Sequence, residues 1–180
     1  NVSAAGDITF TPDTNYNGSV SFSYVISDGN GATATATVNG TVTAINDPPV
    51  ANNDSFSVAE DSTSSVINLL ANDSDLDGNS LTISSIAGTT LTPGTAQSIA
   101  VTNGTVNVSA AGDITFTPDT NYNGPVSFSY VISDGNGGSA TGTVSADVIS
   151  VASLTAPPTK TVEGNQLSFV AQLSATPNSN

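Results

Sequence analysis

The chain of 180 residues contains no cysteine, histidine, methionine or tryptophan. Each absence removes some chemistry. Without Cys or His there is no disulfide, no zinc site of the usual ligands and no Cys- or His-based nucleophilic centre. Basic residues are nearly missing as well: Lys160 stands alone against 15 acidic residues, for a formal charge of −14. A nucleic-acid partner needs Lys and Arg to displace counterions from phosphate, so none is expected. An anionic membrane surface is disfavoured for the same reason. No apolar run approaches the length of a membrane span, so direct membrane insertion is not expected, and no secretory leader is visible. Without Met, the chain reads as an internal stretch of a longer protein.

What is present is repetitive. Residues 107–137 repeat residues 1–31 with one difference, Pro125 for Ser19, at an offset of 106 residues. A fixed period is the mark of a tandem array and sets the size of the folding unit. On this frame residues 1–47 are the C-terminal half of one repeat and 48–153 a complete repeat. Residues 154–180 begin a further, divergent one. A unit of this length can bury one modest core.

The apolar positions are dominated by Val, Ile, Thr, Phe and Tyr, punctuated by Gly, Asn, Asp, Ser and Pro. That pattern predicts an all-β sandwich of short strands. Val20, Phe22, Tyr24 and Ile26 alternate with Ser21, Ser23, Val25 and Ser27, a period of two that aims the first set at a core. Asp28-Gly29-Asn30-Gly31 is a hairpin turn, and residues 32–44 the strand after it. In the complete repeat, Phe56 and Val58 mark a first strand, residues 64–70 a second and 81–86 a third. A hairpin of 105–108 and 114–117 follows, and 126–133 with 139–148 close the fold. Residues 89–102 form a long connection with an edge strand at 97–101. Seven main strands are the count of an immunoglobulin-like sandwich.

One cluster of side chains carries a definite chemical meaning. Asp73, Asp75 and Asp77 stand at alternate positions before Gly78. Three carboxylates converge only when a cation relieves their repulsion, and Ca²⁺ takes about six to eight oxygens at about 2.3–2.6 Å. The run resembles the first half of an EF-hand loop, but its twelfth position is Ser84 and β-formers follow, so it is not one. An ordinary acidic turn is the plainer alternative. Strand parity places this loop and the Asp134 turn at the pole where the chain enters the repeat, beside Asn46 and Asp47. Glu60 and Asp61 fall at the opposite pole, near Asp147 and the next junction. The Pro48-Pro49 pair makes the linker short and stiff.

Four motifs in this order are similar to the cadherin-like tandem repeats of large bacterial surface adhesins, including those exported by type I secretion. They are Asn46-Asp47-Pro48-Pro49-Val50-Ala51, Ala59-Glu60-Asp61, Asn72-Asp73-Ser74-Asp75-Leu76-Asp77-Gly78, and the stretch from Phe116-Thr117-Pro118 through Tyr130 to Ser133-Asp134-Gly135. The resemblance implies an extender role, with neighbouring repeats as partners and the adhesive target carried elsewhere. It implies Ca²⁺ at the junctions, held by Glu60, by Asp73, Asp75 and Asp77, and by Asn46 and Asp47. Asp61 and Asp134 complete the candidate metal set. The second junction departs from the pattern, with Thr155-Ala156 before Pro157-Pro158. An enzyme is not expected. A sugar- or ice-binding module, or an accessory repeat of a secreted hydrolase, are the readings from other classes.

Overall fold

The computed structural model describes residues 2–3 and 6–151. The expected divergent unit at 154–180, with Lys160, lies outside the described residues. The chain separates into two units, Asn1–Asp47 and Pro48–Asn180.

In the first unit, β1 (Gly18–Ser27) and β2 (Thr33–Val42) form an antiparallel hairpin, paired from Gly18↔Val42 to Ser27↔Thr33. The alternation produced the strands, but the face meant for a core is only partly covered. Val20 and Phe22 are half-buried, while Tyr24 and Ile26 stay 37% and 61% exposed.

The described part of the second unit is all-β. Its strands are β3 (Asp54–Ala59), β4 (Thr82–Ile86), β5 (Thr89–Thr90), β6 (Gln97–Val101), β7 (Gly104–Val108), β8 (Ile114–Pro118), β9 (Gly124–Ser133) and β10 (Ser139–Ile149). They make a five-stranded sheet, β3-β10-β9-β4-β5, and a three-stranded one, β6-β7-β8. The pairings are antiparallel except that β3 runs parallel to β10, from Val144↔Asp54 to Ile149↔Ala59.

The two inner faces share one core. Val126, Phe128, Tyr130 and Ile132 of β9 and Val144, Ala146 and Val148 of β10 meet Val106, Val108, Ile114 and Phe116 of the smaller sheet. The Phe116 ring stacks on Phe128 at 6.3 Å and meets Phe56 edge-on at 5.9 Å. Each such side chain contributes about 1.5–3 kcal/mol by leaving water. The intervening Ser127, Ser129, Thr143, Ser145 and Asp147 point outward, as a period of two requires.

One expected strand is absent. Residues 64–70 run beside β8 without forming a regular ladder. Ser64 N–H donates to Phe116 O at 2.8 Å, and Ile67 N–H to Ile114 O at 2.8 Å. Three residues on one side thus oppose two on the other, as in a bulge. Phe116 N–H donates at 2.7 Å to Ser64 Oγ, so a hydroxyl takes a place the backbone ladder would fill. Val66 is left 61% exposed, whereas Leu69 is buried. The region expected as a long connection instead holds the short β5 as well as β6.

Candidate functional site

Six residues, 48–53, lead into β3, and the acidic loop closes over them. Val50 and Ser74 exchange backbone hydrogen bonds at 2.8 and 3.1 Å. Asn52 N–H donates to Asp73 Oδ1 at 2.8 Å, and Asn52 Nδ2 to Asn72 O at 2.7 Å. Asn72 Nδ2 returns a bond to Asn53 O at 3.0 Å. From β10, Thr143 N–H reaches Asn53 Oδ1 at 3.0 Å.

Tyr130 reaches the same place from the core. Its hydroxyl donates to Asn52 O at 2.7 Å, with Leu69 O at 3.2 Å and both Asp73 oxygens at 3.3 Å also within reach. Asp54, at the start of β3, completes the group. Burial raises its pKa and the nearby Asp73 charge adds to this, against a hydrogen bond from Tyr130 that lowers it. Burial, then Asp54 and Asp73, push the Tyr130 hydroxyl well above its ordinary value. Tyr130 therefore stays a donor among an excess of acceptors. Asp54 Oδ2 is buried and has no hydrogen-bond partner.

The acidic loop is ordered by its own backbone. Asp75 Oδ1 accepts from Asp77 N at 2.9 Å and Asn79 N at 3.0 Å, while Asp75 Oδ2 is buried without a partner. Gly78, at φ 73, carries the turn. Asp77 is exposed. Asp134, 4% exposed, caps the β9–β10 turn: its Oδ1 accepts from Asn136 N at 2.8 Å and Gly138 N at 2.9 Å.

Glu60 and Asp61 lie at the far end of β3. Glu60 N–H donates to Ile149 O at 2.9 Å, and Glu60 Oε1 accepts from Val151 N at 2.9 Å, where the chain leaves the repeat. Asp61, at φ 58, accepts from Asn121 N at 2.8 Å. Asn46, exposed, and Asp47, half-buried, belong to the first unit. Among the described residues no three carboxylates are gathered into a group that could hold a metal ion. Asp73 and Asp75 are instead each engaged by neighbouring donors.

Sequence reasoning missed Asp54 and the role of Tyr130. A signal existed: Asp54 shares the inward parity of Phe56 and Val58, an uncommon place for a carboxylate.

The complete repeat is an all-β sandwich entered at one pole and left at the other, because β3 and β10 run parallel. The chain belongs to the bacterial Ig domain family, which it matches over residues 46–147, more than half its length. Residues 2–43 match a cadherin-like domain. No curated protein matches the chain. Ig-like and cadherin-like domains are typically structural modules of surface or extracellular proteins. Among the described residues, no helix is long and apolar enough to cross a membrane.

Proposed function

We propose that the chain is an extender segment of a bacterial cell-surface adhesin, with Ca²⁺ at its inter-repeat junctions fixing the angle between repeats. In this reading the protein is exported by type I secretion, serves cell adhesion or biofilm formation, and performs no catalysis. Its partners are the neighbouring repeats. Sugar binding is less favoured: Phe116, Phe128 and Tyr130 of the complete repeat are buried in the core rather than presented as a platform.

One observation carries the reading. The acidic loop lies beside the residues entering the repeat, and Glu60 beside those leaving it. In a tandem chain each junction would then draw carboxylates from two repeats and the linker between them. Asp73, Asp75 and Asp77 would serve one junction with Asn46, Asp47 and Asp134. Glu60 and Asp61 would serve the next. The donor set is hard oxygen throughout, which suits Ca²⁺. The buried, unpartnered Asp75 Oδ2 is an oxygen a cation would satisfy. The ion would supply positive charge where these carboxylates otherwise repel.

An extracellular module of this kind binds Ca²⁺ with a dissociation constant of about 10⁻⁴–10⁻³ M. At about a hundredfold excess over that constant, linkage adds about 2.7 kcal/mol per site. The test is thermal melting and small-angle scattering of two complete repeats, with Ca²⁺ and with chelator. The expected result is a lower melting temperature and a shorter maximum dimension in chelator; no change in either sinks the calcium reading.

A further inference from the structure

The two copies of the β-hairpin share their turn but not the space behind it. Gly135 and Gly137 have φ of 76° and 106°, and their counterparts Gly29 and Gly31 have 76° and 102°. These glycines are needed for backbone conformation and stand in both copies. Gly138 and Gly142 are different. Neither has a positive φ, so the backbone would accept any residue there. At the matching positions the first copy has Ala32 and Ala36. The turn itself tolerates the change: Ala32 N–H reaches Asp28 Oδ1 at 3.0 Å, as Gly138 N–H reaches Asp134 Oδ1 at 2.9 Å.

What the second copy gains is room. A Cβ on Gly138 would collide with Asp134 Oδ2 and come within 3.0 Å of Pro48 Cα. A Cβ on Gly142 would lie 2.5 Å from Tyr130 Cζ and 2.6 Å from its hydroxyl. The first glycine thus admits Pro48 against the turn. The second lets the Tyr130 ring lie across β10, where it is fully buried and reaches Asn52 O. Ala36, paired with the equivalent Tyr24, carries a Cβ where Gly142 leaves room.

We infer that Gly138 and Gly142 form a two-residue lock that clasps the segment entering the repeat, residues 48–53, and that alanine at both positions defines a second repeat type without this clasp. A tandem chain of both types carries tight and loose junctions in an order written in its sequence. Its contacts are the Tyr130–Asn52 and Gly138–Asp134 hydrogen bonds and the close approach of Pro48 to Gly138.

Hydrogen exchange of the intact chain in chelator tests this, for Gly138→Ala, Gly142→Ala and Tyr130→Phe. Chelator keeps the outcome separate from the calcium reading. Leaving one partner of a buried bond unsatisfied corresponds to at least about a fivefold change in local opening. We expect the amides of Val50, Asn52 and Ser74 to exchange at least about fivefold faster in each variant, while those of Val106 and Phe116 in the β7–β8 hairpin keep their rates. Unchanged rates at the three clasp amides overturn the inference. So does an equal rise at Val106 and Phe116, which would mean plain loss of fold. If Gly142→Ala does not fold, Tyr130→Phe decides, since it keeps the ring and removes only the hydroxyl.

Discussion

Replacing Asp54 by Asn should stabilise the complete repeat at neutral pH. Asp54 Oδ2 is buried and unpartnered beside Asp73. An unsatisfied buried group costs about 1–3 kcal/mol. Asp54 as a whole is only half-buried, so the lower end, about 1 kcal/mol, applies. Asn keeps the shape and an acceptor for Tyr130 while removing the charge that faces Asp73. For a unit of about 100 residues, a gain of about 1 kcal/mol lifts the melting temperature by about 4–8 °C. The pH dependence fixes the sign independently. Burial raises the native pKa of Asp54 above its ordinary value of 3.8, so the folded state holds the proton more tightly than the unfolded chain. Its contribution to stability is therefore greatest in acid and is lost as pH rises through the native value. The advantage of Asp54→Asn should be full at neutral pH and shrink toward about pH 3.5, below the ordinary carboxylate range. Melting curves in chelator across that range check this. A variant less stable than the parent at neutral pH, or an advantage that grows on acidification, refutes the reasoning.

Other outcomes can be checked with the same protein. Phe116→Ala should cost about 3–5 kcal/mol in denaturant titrations, whereas Phe10→Ala, the same position in the first copy and 50% exposed, should cost less than about 0.5 kcal/mol. In two complete repeats, Asp75→Asn with Asp77→Asn should reproduce the chelated melting and scattering even in millimolar Ca²⁺, and Asp119→Asn should not. Limited proteolysis should cut the first unit, with its exposed Val2, Phe10, Tyr24 and Ile26, before the complete repeat. The opposite order would contradict the burial described above.

Much of this architecture was legible in the amino-acid order because strands announce themselves by a period of two. Val126 to Ile132 and Val144 to Val148 alternate without interruption, and both became the inner face of the large sheet. The 64–70 stretch alternated less cleanly. What defeated it as a strand was one hydroxyl, Ser64 Oγ, taking the Phe116 N–H. That bond depends on a partner 52 residues away and leaves no local trace. The acidic loop was visible as composition. Its setting was not, because the donors to Asp73 come from Asn52 and Tyr130, remote in sequence. Gly138 and Gly142 were equally hidden, since a glycine that makes room looks like any other until its neighbours are known.

The parallel pairing of β3 with β10 has a mechanical consequence. The chain enters the repeat at the start of β3 and leaves at the end of β10, and six register pairs, Asp54↔Val144 to Ala59↔Ile149, join the two strands. A pull applied across the repeat draws these neighbouring strands past one another along their length. The load then falls on all six rungs together instead of opening them one at a time. A sheet stressed in shear yields only when its rungs fail as a group, so the barrier to extension is set by this seam and not by the overall stability of the core. If the repeat serves as the proposed extender, the seam between the first and last strands is where its strength is decided.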